Sequence, residues 1–297
     1  MQQNNADYLV NKECPYISFP ILEQLPWLKH GFSTRLGGVS TGIHSSMNLG
    51  FLNGDRRENV EENYHRMAAT LNIDVDSCVM ANQTHSDRVR LVTGDDRGKG
   101  FRIERDYTDI DALITKEAGN TLVILTADCV PVSLADTVNH AVGLVHSGWK
   151  GTAAKIVPKT IIRMQEEFGT HPENLVIATG PSICGTCYEV GSEVIKHFHE
   201  QYTECQCKRF ITIKMMDTPD NPLDKSRTYL PEEKYQLDLA EAIRQSVVAL
   251  GVPDKSIVKS SFCTMCHPEL FFSHRATQGK RGTMAAFIST TSQANAE

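Results

Sequence analysis

The stretch 121–146, TLVILTADCVPVSLADTVNHAVGLVH, determines the fold class of this chain. Its runs 121–126 and 130–135 are short, apolar and rich in β-branched residues, which is typical of buried strands. Residues 136–139 supply turn-forming side chains, and the apolar run 140–146 follows directly. Strands joined by so short a turn pair with each other, so this stretch predicts antiparallel pairing at the centre of the fold.

Segments predicted to be helices surround this central stretch. In 55–71 and in 153–168, apolar residues recur every three or four positions, as on the buried face of a helix. The other predicted elements are helices 191–202 and 237–250 and strands 175–179, 257–262 and 284–288. The polar segment 203–234 contains three prolines and is predicted to be a long surface loop. This mixture predicts an α/β fold, with a single domain of mixed, largely antiparallel sheets flanked by helices.

The composition is that of an ordinary globular protein and argues against several classes of function. Apolar residues make up 40% of the 297 residues and charged residues 22%, which is enough for a sizeable core. The net charge is −6 and the basic residues are scattered, so no broad nucleic-acid interface is predicted. No secretory signal or membrane-spanning run is visible, which predicts a cytoplasmic protein whose nine cysteines are thiols or metal ligands.

Three residues of metal-binding type stand where an apolar run gives way to a turn. They are His85, Cys129 and His146. Two imidazoles and a thiolate leave one position of a tetrahedral zinc ion open for water, whose pKa the ion would lower towards about 7. Their spacing along the chain does not by itself bring them together. On residue types alone, a buried structural thiol and two unrelated histidines remain the alternative.

Nine short motifs occur together in this chain. They are HGFSTR (30–35) with GGVS (37–40), SMNLG (46–50), QTH (83–85), DALIT (111–115), TADC (126–129), VHSGWKGT (145–152), GPSI (180–183), CYEV (187–190) and FFSHR (271–275). In kind and order they resemble the YfiH-like family, also called the laccase-domain or multicopper polyphenol oxidase family. The resemblance implies an N-terminal extension over 1–27, a catalytic domain over 28–290 and a frayed tail over 291–297. It also implies the fold shared with the cytotoxic necrotizing factor toxins.

The resemblance implies a metal and a class of substrate. In the family, the residues that match His85, Cys129 and His146 bind zinc, with copper as the alternative metal. The implied reactions are phosphorolysis of adenosine, inosine and 5'-methylthioadenosine to free base and ribose 1-phosphate, together with deamination of adenosine. Purine nucleosides and phosphate are therefore the expected partners. No obligate protein partner is expected.

Further residues of these motifs have expected roles in purine chemistry. Asp128 is a candidate catalytic residue that would carry protons beside the metal, as carboxylates do in other zinc deaminases. The guanidinium of Arg35 suits two phosphate oxygens, with a surface salt bridge as its alternative role. Asn48 and Ser33 are candidate substrate-binding residues, and a structural turn is equally compatible with Asn48. Lys150 is expected to neutralise charge near His146.

One position departs from the family pattern. Where the family commonly has arginine after the asparagine that matches Asn63, this chain has Tyr64. Arg66 cannot simply substitute, because two helical residues turn the side chain about 200° away. Either Tyr64 stacks on the purine base, or one anion contact is missing.

The sequence is also compatible with other functions and with a second metal site. Cys129 with His146 as base would form a cysteine hydrolase, and a copper-dependent, laccase-like polyphenol oxidase is the other enzymatic alternative. A metal-storing or scaffold protein is the non-enzymatic alternative. The pairs Cys184/Cys187 and Cys263/Cys266 have the spacing of structural zinc ligands, but they lie far apart in the chain.

Overall fold

The structure, a computed structural model, describes residues 7–214 and 233–291. The strands are β1 (Tyr8–Val10), β2 (Tyr16–Ser18), β3 (Leu28–Ser33), β4 (Cys78–Met80), β5 (Val89–Leu91), β6 (Ala112–Thr115), β7 (Thr121–Thr126), β8 (Val130–Asp136), β9 (Val142–Ser147), β10 (Leu175–Thr179), β11 (Glu189–Gly191), β12 (Ile211–Lys214), β13 (Lys234–Leu237), β14 (Ile257–Lys259) and β15 (Met284–Thr290). The helices are α1 (Pro20–Glu23), α2 (Arg57–Leu71), α3 (Trp149–Ala153), α4 (Ile156–Phe168), α5 (Ser192–His199), α6 (Glu204–Phe210), α7 (Leu239–Ala249) and α8 (His274–Thr277).

Two six-stranded sheets pack face to face around a shared core. The first sheet has the strand order β1-β2-β3-β15-β7-β4 and the second the order β14-β10-β8-β9-β6-β5. Most neighbouring strands are antiparallel, and the exceptions are β4–β7, β5–β6 and β10–β14. Leu122 and Ile124 of the first sheet and Val142 and Leu144 of the second are fully buried in one cluster. The predicted α/β fold with mixed, largely antiparallel sheets is confirmed.

Helices cover the outer faces of both sheets. Helix α2 packs Val60 and Met67 against Val123 and Phe287 of the first sheet. Helices α4 and α7 cover the second sheet with Ile161, Met164, Ile243 and Val247. The resulting order of layers is helix, sheet, sheet, helix, which buries both faces of each sheet.

The predicted helix over 153–168 is interrupted. Lys155 adopts a left-handed backbone conformation with a φ of 58°, which separates α3 from α4. Because a left-handed residue cannot continue a right-handed helix, the chain turns here before α4 begins. The sequence does not reveal the break, because Ala153, Ala154 and Lys155 are all residue types that favour a helix.

The segment 203–234 is not a simple surface loop. Helix α6 occupies part of it, and Phe210 at the end of that helix is only 3% exposed. Strands β11, β13 and β12 form a third, three-stranded sheet beside it. The loop prediction is therefore wrong for the described part of this segment, and residues 215–232 lie outside the described residues.

The expected N-terminal extension is continuous with the main sheet. Strands β1 and β2 belong to the first sheet, where Ile17 pairs with Phe32 of β3. A boundary at residue 28 therefore does not separate an extension from the domain. The ends of the chain, 1–6 and 292–297, lie outside the described residues. Within the described part of the chain, none of the helices has both the length and the apolar character needed to cross a bilayer.

Candidate metal centre

Cys129 and His146 come together where the chain crosses from one sheet to the other. Strand β7 belongs to the first sheet and β8 to the second, and Cys129 lies in the crossing between them. In the pairing of β8 with β9, Val130 is opposite Ser147. Cys129, which precedes Val130, therefore lies beside the end of β9 that carries His146.

His85 lies on the loop between β4 and β5, and Asp111 holds that loop in place. The carboxylate of Asp111 accepts hydrogen bonds from the backbone N–H groups of Thr84, His85 and Ser86 at 3.1, 3.1 and 2.7 Å. The same carboxylate lies 2.8 Å from Nδ1 of His146. One fully buried side chain thus positions two of the three candidate ligands.

His85, Cys129 and His146 form a group that could hold a metal ion. Their ligand atoms lie within 4.8 Å of one another, and Sγ of Cys129 is 3.8 Å from Nε2 of His85. Because Nδ1 of His146 faces Asp111, its Nε2 is the nitrogen left for a metal. A histidine held by a carboxylate is the usual arrangement in metal sites, so this donor set fits a divalent ion.

The pKa values at this centre are shifted as expected for a cysteine–histidine pair. Burial by itself raises the pKa of the Cys129 thiol, but His146 and His85 lower it to about 6. Burial by itself lowers the pKa of His146, but the Cys129 charge and the Asp111 carboxylate raise it to about 9. The thiolate that a metal requires is therefore favoured at neutral pH, and a metal would compete with the proton on His146.

Asp128 holds residues 264–275 in place through hydrogen bonds, and it has an unusual backbone conformation. Both His85, with a φ of 62°, and Asp128, with a φ of 86°, have left-handed backbone conformations. Such conformations are uncommon outside glycine and cluster at functional sites. The Asp128 carboxylate accepts hydrogen bonds from Thr264 Oγ1 (2.6 Å), Ser273 Oγ (3.0 Å) and the Arg275 N–H (2.7 Å). These contacts give Asp128 a positioning role and do not support the predicted proton transfer.

The three candidate ligands line a cavity of about 930 Å³. This volume lies in the range of small-molecule sites. Its aromatic lining residues are Phe51, Trp149 and Tyr188. Its basic lining residues are Arg57, Arg105, His274, Arg275 and Arg281. Among the described residues, Glu104 and Asp128 are its carboxylates. The cavity thus combines stacking surfaces with positive charge next to the candidate metal centre.

Three of the predicted substrate-binding residues are buried in the protein interior. Ser33, Asn48 and Tyr64 have no exposed surface, and none of them lines the cavity. Ser33 Oγ accepts a hydrogen bond from a backbone N–H of β15. Asn48 Oδ1 accepts a hydrogen bond from the backbone N–H of Thr283, and Thr283 itself lines the cavity, so Asn48 supports the cavity wall from the side of the protein interior. Tyr64 stacks on Phe51 with ring centroids 5.7 Å apart, so the prediction that Tyr64 stacks on a base is wrong.

The other two predicted substrate-binding residues also lie away from the cavity lining. Arg35 donates hydrogen bonds to the backbone carbonyls of Ser45 and Pro268, and its guanidinium lies 4.6 Å from the Phe272 ring centroid. Its donors therefore support local structure and are not directed at a phosphate. Lys150 is exposed, with its Nζ 5.6 Å from the ring centroid of its neighbour Trp149.

The family of the chain follows from its match to a family model. The model, described as multi-copper polyphenol oxidoreductase laccase, matches residues 29–291. The chain belongs to this family. The resemblance inferred from the nine motifs is therefore confirmed. The match covers the second sheet, the candidate metal centre, the cavity lining and the first sheet apart from β1, β2 and Leu28.

Relatives of this laccase-domain chain are similar over most of their length. It is 35% identical over 259 residues to purine nucleoside phosphorylase YlmD of Bacillus subtilis, covering 87% of each chain. It is 33% identical over 281 residues to a purine nucleoside phosphorylase of Bacteroides thetaiotaomicron, covering 94% of this chain and 97% of the relative. It is 33% identical over 263 residues to adenosine deaminase RL5 of an unknown prokaryotic organism, covering 86% and 93%.

A solved structure has the same fold as this laccase-domain chain. The crystal structure of the Bacillus licheniformis hypothetical protein YfiH has a TM-score of 0.85 and 32% sequence identity. It covers 97% of this chain and 100% of its own. The architecture of this chain is therefore that of the YfiH proteins.

Asp111 and Arg281 are among the residues at the site to which sequence reasoning gave no role. Asp111 opens one of the motifs, but its contact with His146 follows only from the register of β6 and β9. Arg281 stands in a Lys280-Arg281 pair, which has no distinguishing signal in the sequence. In the structure, Arg281 lines the cavity and its buried Nε has no hydrogen-bond partner among the described residues.

Proposed function

We propose that this chain is a zinc-dependent enzyme of purine nucleosides. The proposed reactions are phosphorolysis of adenosine and inosine to base and ribose 1-phosphate, phosphorolysis of 5'-methylthioadenosine to adenine and 5-methylthioribose 1-phosphate, and deamination of adenosine. The names of the relatives support both reactions, since two are called purine nucleoside phosphorylases and one an adenosine deaminase. The nine free cysteines suit a reducing compartment, so the proposed location is the cytoplasm.

The observation that carries the proposal is that the three candidate metal ligands lie in the wall of the cavity. His85, Cys129 and His146 lie in the wall of a space that also presents aromatic rings and arginines. A purine needs flat apolar surfaces for stacking, and a phosphate needs guanidinium groups. When bound, Zn²⁺ supplies Lewis acidity for attack on the substrate. The cavity lining therefore offers stacking surfaces for a purine and guanidinium groups for a phosphate beside the candidate ligands, which supports the proposal.

For phosphorolysis, Arg281 is the proposed phosphate-binding residue. Its Nη1 donates to the Gly282 carbonyl and to Thr283 Oγ1, both at 2.9 Å, which fixes the guanidinium plane. Nη2, which also lies 3.5 Å from Nδ1 of His274, is the nitrogen proposed to donate to phosphate oxygens next to the ribose. A phosphate oxygen then bonds to C1', the bond from C1' to the base nitrogen breaks, and the base leaves with the electron pair and takes up a proton. The role of the arginine is to orient the attacking group.

For deamination, Glu104 is the proposed proton carrier. It lines the cavity, is exposed, and forms no hydrogen bond with another described residue. A free carboxylate of this kind can exchange protons with a substrate. Water adds its oxygen to C6 of adenosine, and the amino group leaves as ammonia after taking up a proton. Glu104→Gln should therefore lower deamination more than phosphorolysis.

The proposal is tested with protein of defined metal content. Zinc-loaded protein is incubated with adenosine, inosine or 5'-methylthioadenosine, with and without phosphate. Free base and a sugar 1-phosphate that form only with phosphate demonstrate phosphorolysis; the sugar product is ribose 1-phosphate from adenosine or inosine and 5-methylthioribose 1-phosphate from 5'-methylthioadenosine. Inosine formed from adenosine in both conditions demonstrates deamination. His85→Ala should abolish both reactions while the protein stays folded. Absence of product from all three nucleosides would contradict the proposal.

A cysteine hydrolase is the second candidate function. Cys129, His146 and Asp111 form a series in which a carboxylate orients a histidine and the histidine lies beside a thiolate. A thiolate bound to a metal is not available as a nucleophile, so the two functions exclude each other. Chelator that removes the metal and abolishes turnover supports the metalloenzyme. Turnover that survives chelation and is stopped by alkylation of Cys129 supports the hydrolase.

Copper-dependent oxidation of phenols is the weaker alternative. Within the described residues, two groups of side chains could hold a metal, and neither supplies more than two histidines. A multicopper oxidase needs several copper centres with many histidine ligands. Comparison of zinc-loaded and copper-loaded protein on a phenol substrate tests this alternative. Rapid oxidation by the copper form alone would favour it.

A further inference from the structure

A second group of metal-binding side chains lies outside the candidate metal centre. The sulfur atoms of Cys184, Cys187, Cys263 and Cys266 all lie within 4.8 Å of one another. Sγ of Cys187 is 3.4 Å from Sγ of Cys266, and all four cysteines are free thiols. In a tetrahedral zinc site with Zn–S bonds of about 2.3 Å, the sulfurs are about 3.8 Å apart. The four sulfurs are thus spaced to surround one ion.

Backbone hydrogen bonds form a tight turn at each of the two Cys-x-x-Cys pairs, as is usual for paired metal ligands. In the first pair, the N–H of Cys187 donates to the Cys184 carbonyl at 3.0 Å, so the two residues form a tight turn. In the second pair, the His267 N–H donates to the Cys263 carbonyl at 3.1 Å. Between the pairs, the Cys184 N–H donates to the sulfur of Cys263 at 3.2 Å. Backbone N–H donors to sulfur stabilise a thiolate, which is the form that binds metal.

We propose that these four cysteines bind a structural Zn²⁺ ion. Four thiolates fill a tetrahedral zinc ion completely, so this site has no open position for substrate. It differs in this respect from the group of His85, Cys129 and His146. The second site is therefore proposed to stabilise the fold and not to take part in the chemistry.

The proposed zinc ion would join two segments that form part of the cavity wall. Cys187 is followed by Tyr188, whose ring lies 5.1 Å from the guanidinium of Arg275. Both Tyr188 and Arg275 line the cavity. Next to Cys263, the hydroxyl of Thr264 donates to Asp128. The segments are 79 residues apart in the chain, so an ion shared between them would constrain the unfolded chain as a cross-link does.

The test is a count of zinc in variants of the full chain. Wild-type protein should contain two zinc ions per chain, and Cys187→Ser and Cys266→Ser should each contain one. His85→Ala should also retain one zinc, held by the four cysteines. Cys205→Ser is the matched control, since this exposed cysteine of α6 is outside both groups, and it should retain two. Chelation of the second zinc should lower the melting temperature of the wild type and leave that of Cys187→Ser unchanged.

A second measurement applies if the serine variants do not fold. Cobalt is added to metal-free His85→Ala protein, in which the four cysteines are the remaining complete group. Four thiolates should give an intense sulfur-to-cobalt charge-transfer absorption that zinc displaces. One zinc per wild-type chain that is lost in His85→Ala, no such absorption, or a disulfide between Cys187 and Cys266 in freshly purified protein would overturn the proposal. These readouts do not depend on turnover, so they separate failure of this site from failure of the proposed purine chemistry.

Discussion

Oδ1 of Asp111 lies 2.8 Å from Nδ1 of His146, and the same carboxylate binds the backbone of the loop that carries His85. The contact links β6 to β9 at the edge of the cavity. Burial by itself raises the pKa of Asp111, but its hydrogen bonds with His146 and Ser86 lower it to about 2. Asp111 is thus ionised at neutral pH and orients both histidines by charge-assisted hydrogen bonds.

Asp111→Asn should weaken metal binding without removing a ligand. The amide has one acceptor oxygen, so it cannot serve both the loop N–H groups and His146. Changes of this kind in the partners of metal ligands reduce affinity about 10–100-fold. Zinc affinity is measured by competition with a chromophoric chelator, with the nearby Asp109→Asn as control. Unchanged affinity in Asp111→Asn would show that the carboxylate has no part in positioning the ligands.

Gly148→Ala should disrupt the candidate metal centre by steric contact. A Cβ atom at Gly148 would lie 2.8 Å from Cδ2 of His85 and 2.9 Å from Sγ of Cys129, closer than atoms normally approach. We expect at least a tenfold loss of turnover and of zinc affinity, since misplaced ligands lose both. Gly94→Ala is the control, because its nearest new contact is at 3.5 Å. Equal zinc affinity and turnover in both variants would contradict the close packing described around the ligands.

The layers of the fold were largely predictable, because apolar periodicity marks buried faces. The central strands 121–126 and 130–135 are found as β7 and β8. Their placement in two different sheets was not predictable, because both strands are buried on both faces and therefore have the same continuous apolar sequence pattern. The helical part of 203–234 was missed because its few apolar residues, such as Phe210, are separated by charged ones. The pattern there is too weak to distinguish a short helix with two buried residues from a loop.

The candidate metal centre was predictable only in part. The motifs gave His85, Cys129 and His146, and the structure brings these three together. Contact with substrate was expected for Asn48 from its motif and for Tyr64 from the arginine that the family commonly has there, whereas each supports the cavity wall from behind. A residue beside a pocket and a residue behind its wall occur in the same motifs, because both are required for the shape. Only side-chain direction separates them, and the sequence does not contain it.

Arg281→Gln should impair phosphorolysis selectively. Loss of a hydrogen bond to a charged group costs about 1.5–3 kcal/mol, which corresponds to a rise of roughly 10–150-fold in the KM for phosphate. Deamination does not use phosphate and should change much less. The two rates are measured on the same preparation, with Arg56→Gln as control because the Arg56 side chain is 78% exposed and, among the described residues, forms a salt bridge only with Glu58. A KM for phosphate equal to that of the wild type would remove Arg281 from the proposed site.

Asp96→Asn should make stability less dependent on acid pH. Burial by itself raises the pKa of Asp96, but salt bridges with Lys99 (2.8 Å) and Arg90 (2.7 Å) lower it below its ordinary value. A lowered pKa in the folded state gives stability that is present above the unfolded pKa of about 3.9 and is lost as pH falls below it. The difference in urea midpoint between wild type and variant should therefore be largest at neutral pH and shrink towards pH 3. The exposed neighbour gives the control Asp95→Asn, and a difference independent of pH would contradict the assignment.

Tyr64→Phe and Tyr107→Phe form a matched pair with opposite expected results. The hydroxyl of Tyr64 is buried with no hydrogen-bond partner among the described residues, whereas that of Tyr107 donates to the Met80 carbonyl at 2.8 Å. Removing an unpaired buried hydroxyl should leave stability unchanged or raise it by about 1 kcal/mol. Removing the paired one should lower stability by about 1–3 kcal/mol, because the carbonyl of Met80 is left without its donor. Urea unfolding measures both, and nucleoside turnover by Tyr64→Phe should equal that of the wild type. A large loss of turnover in Tyr64→Phe with stability unchanged would contradict this expectation and indicate that Tyr64 contributes to substrate binding.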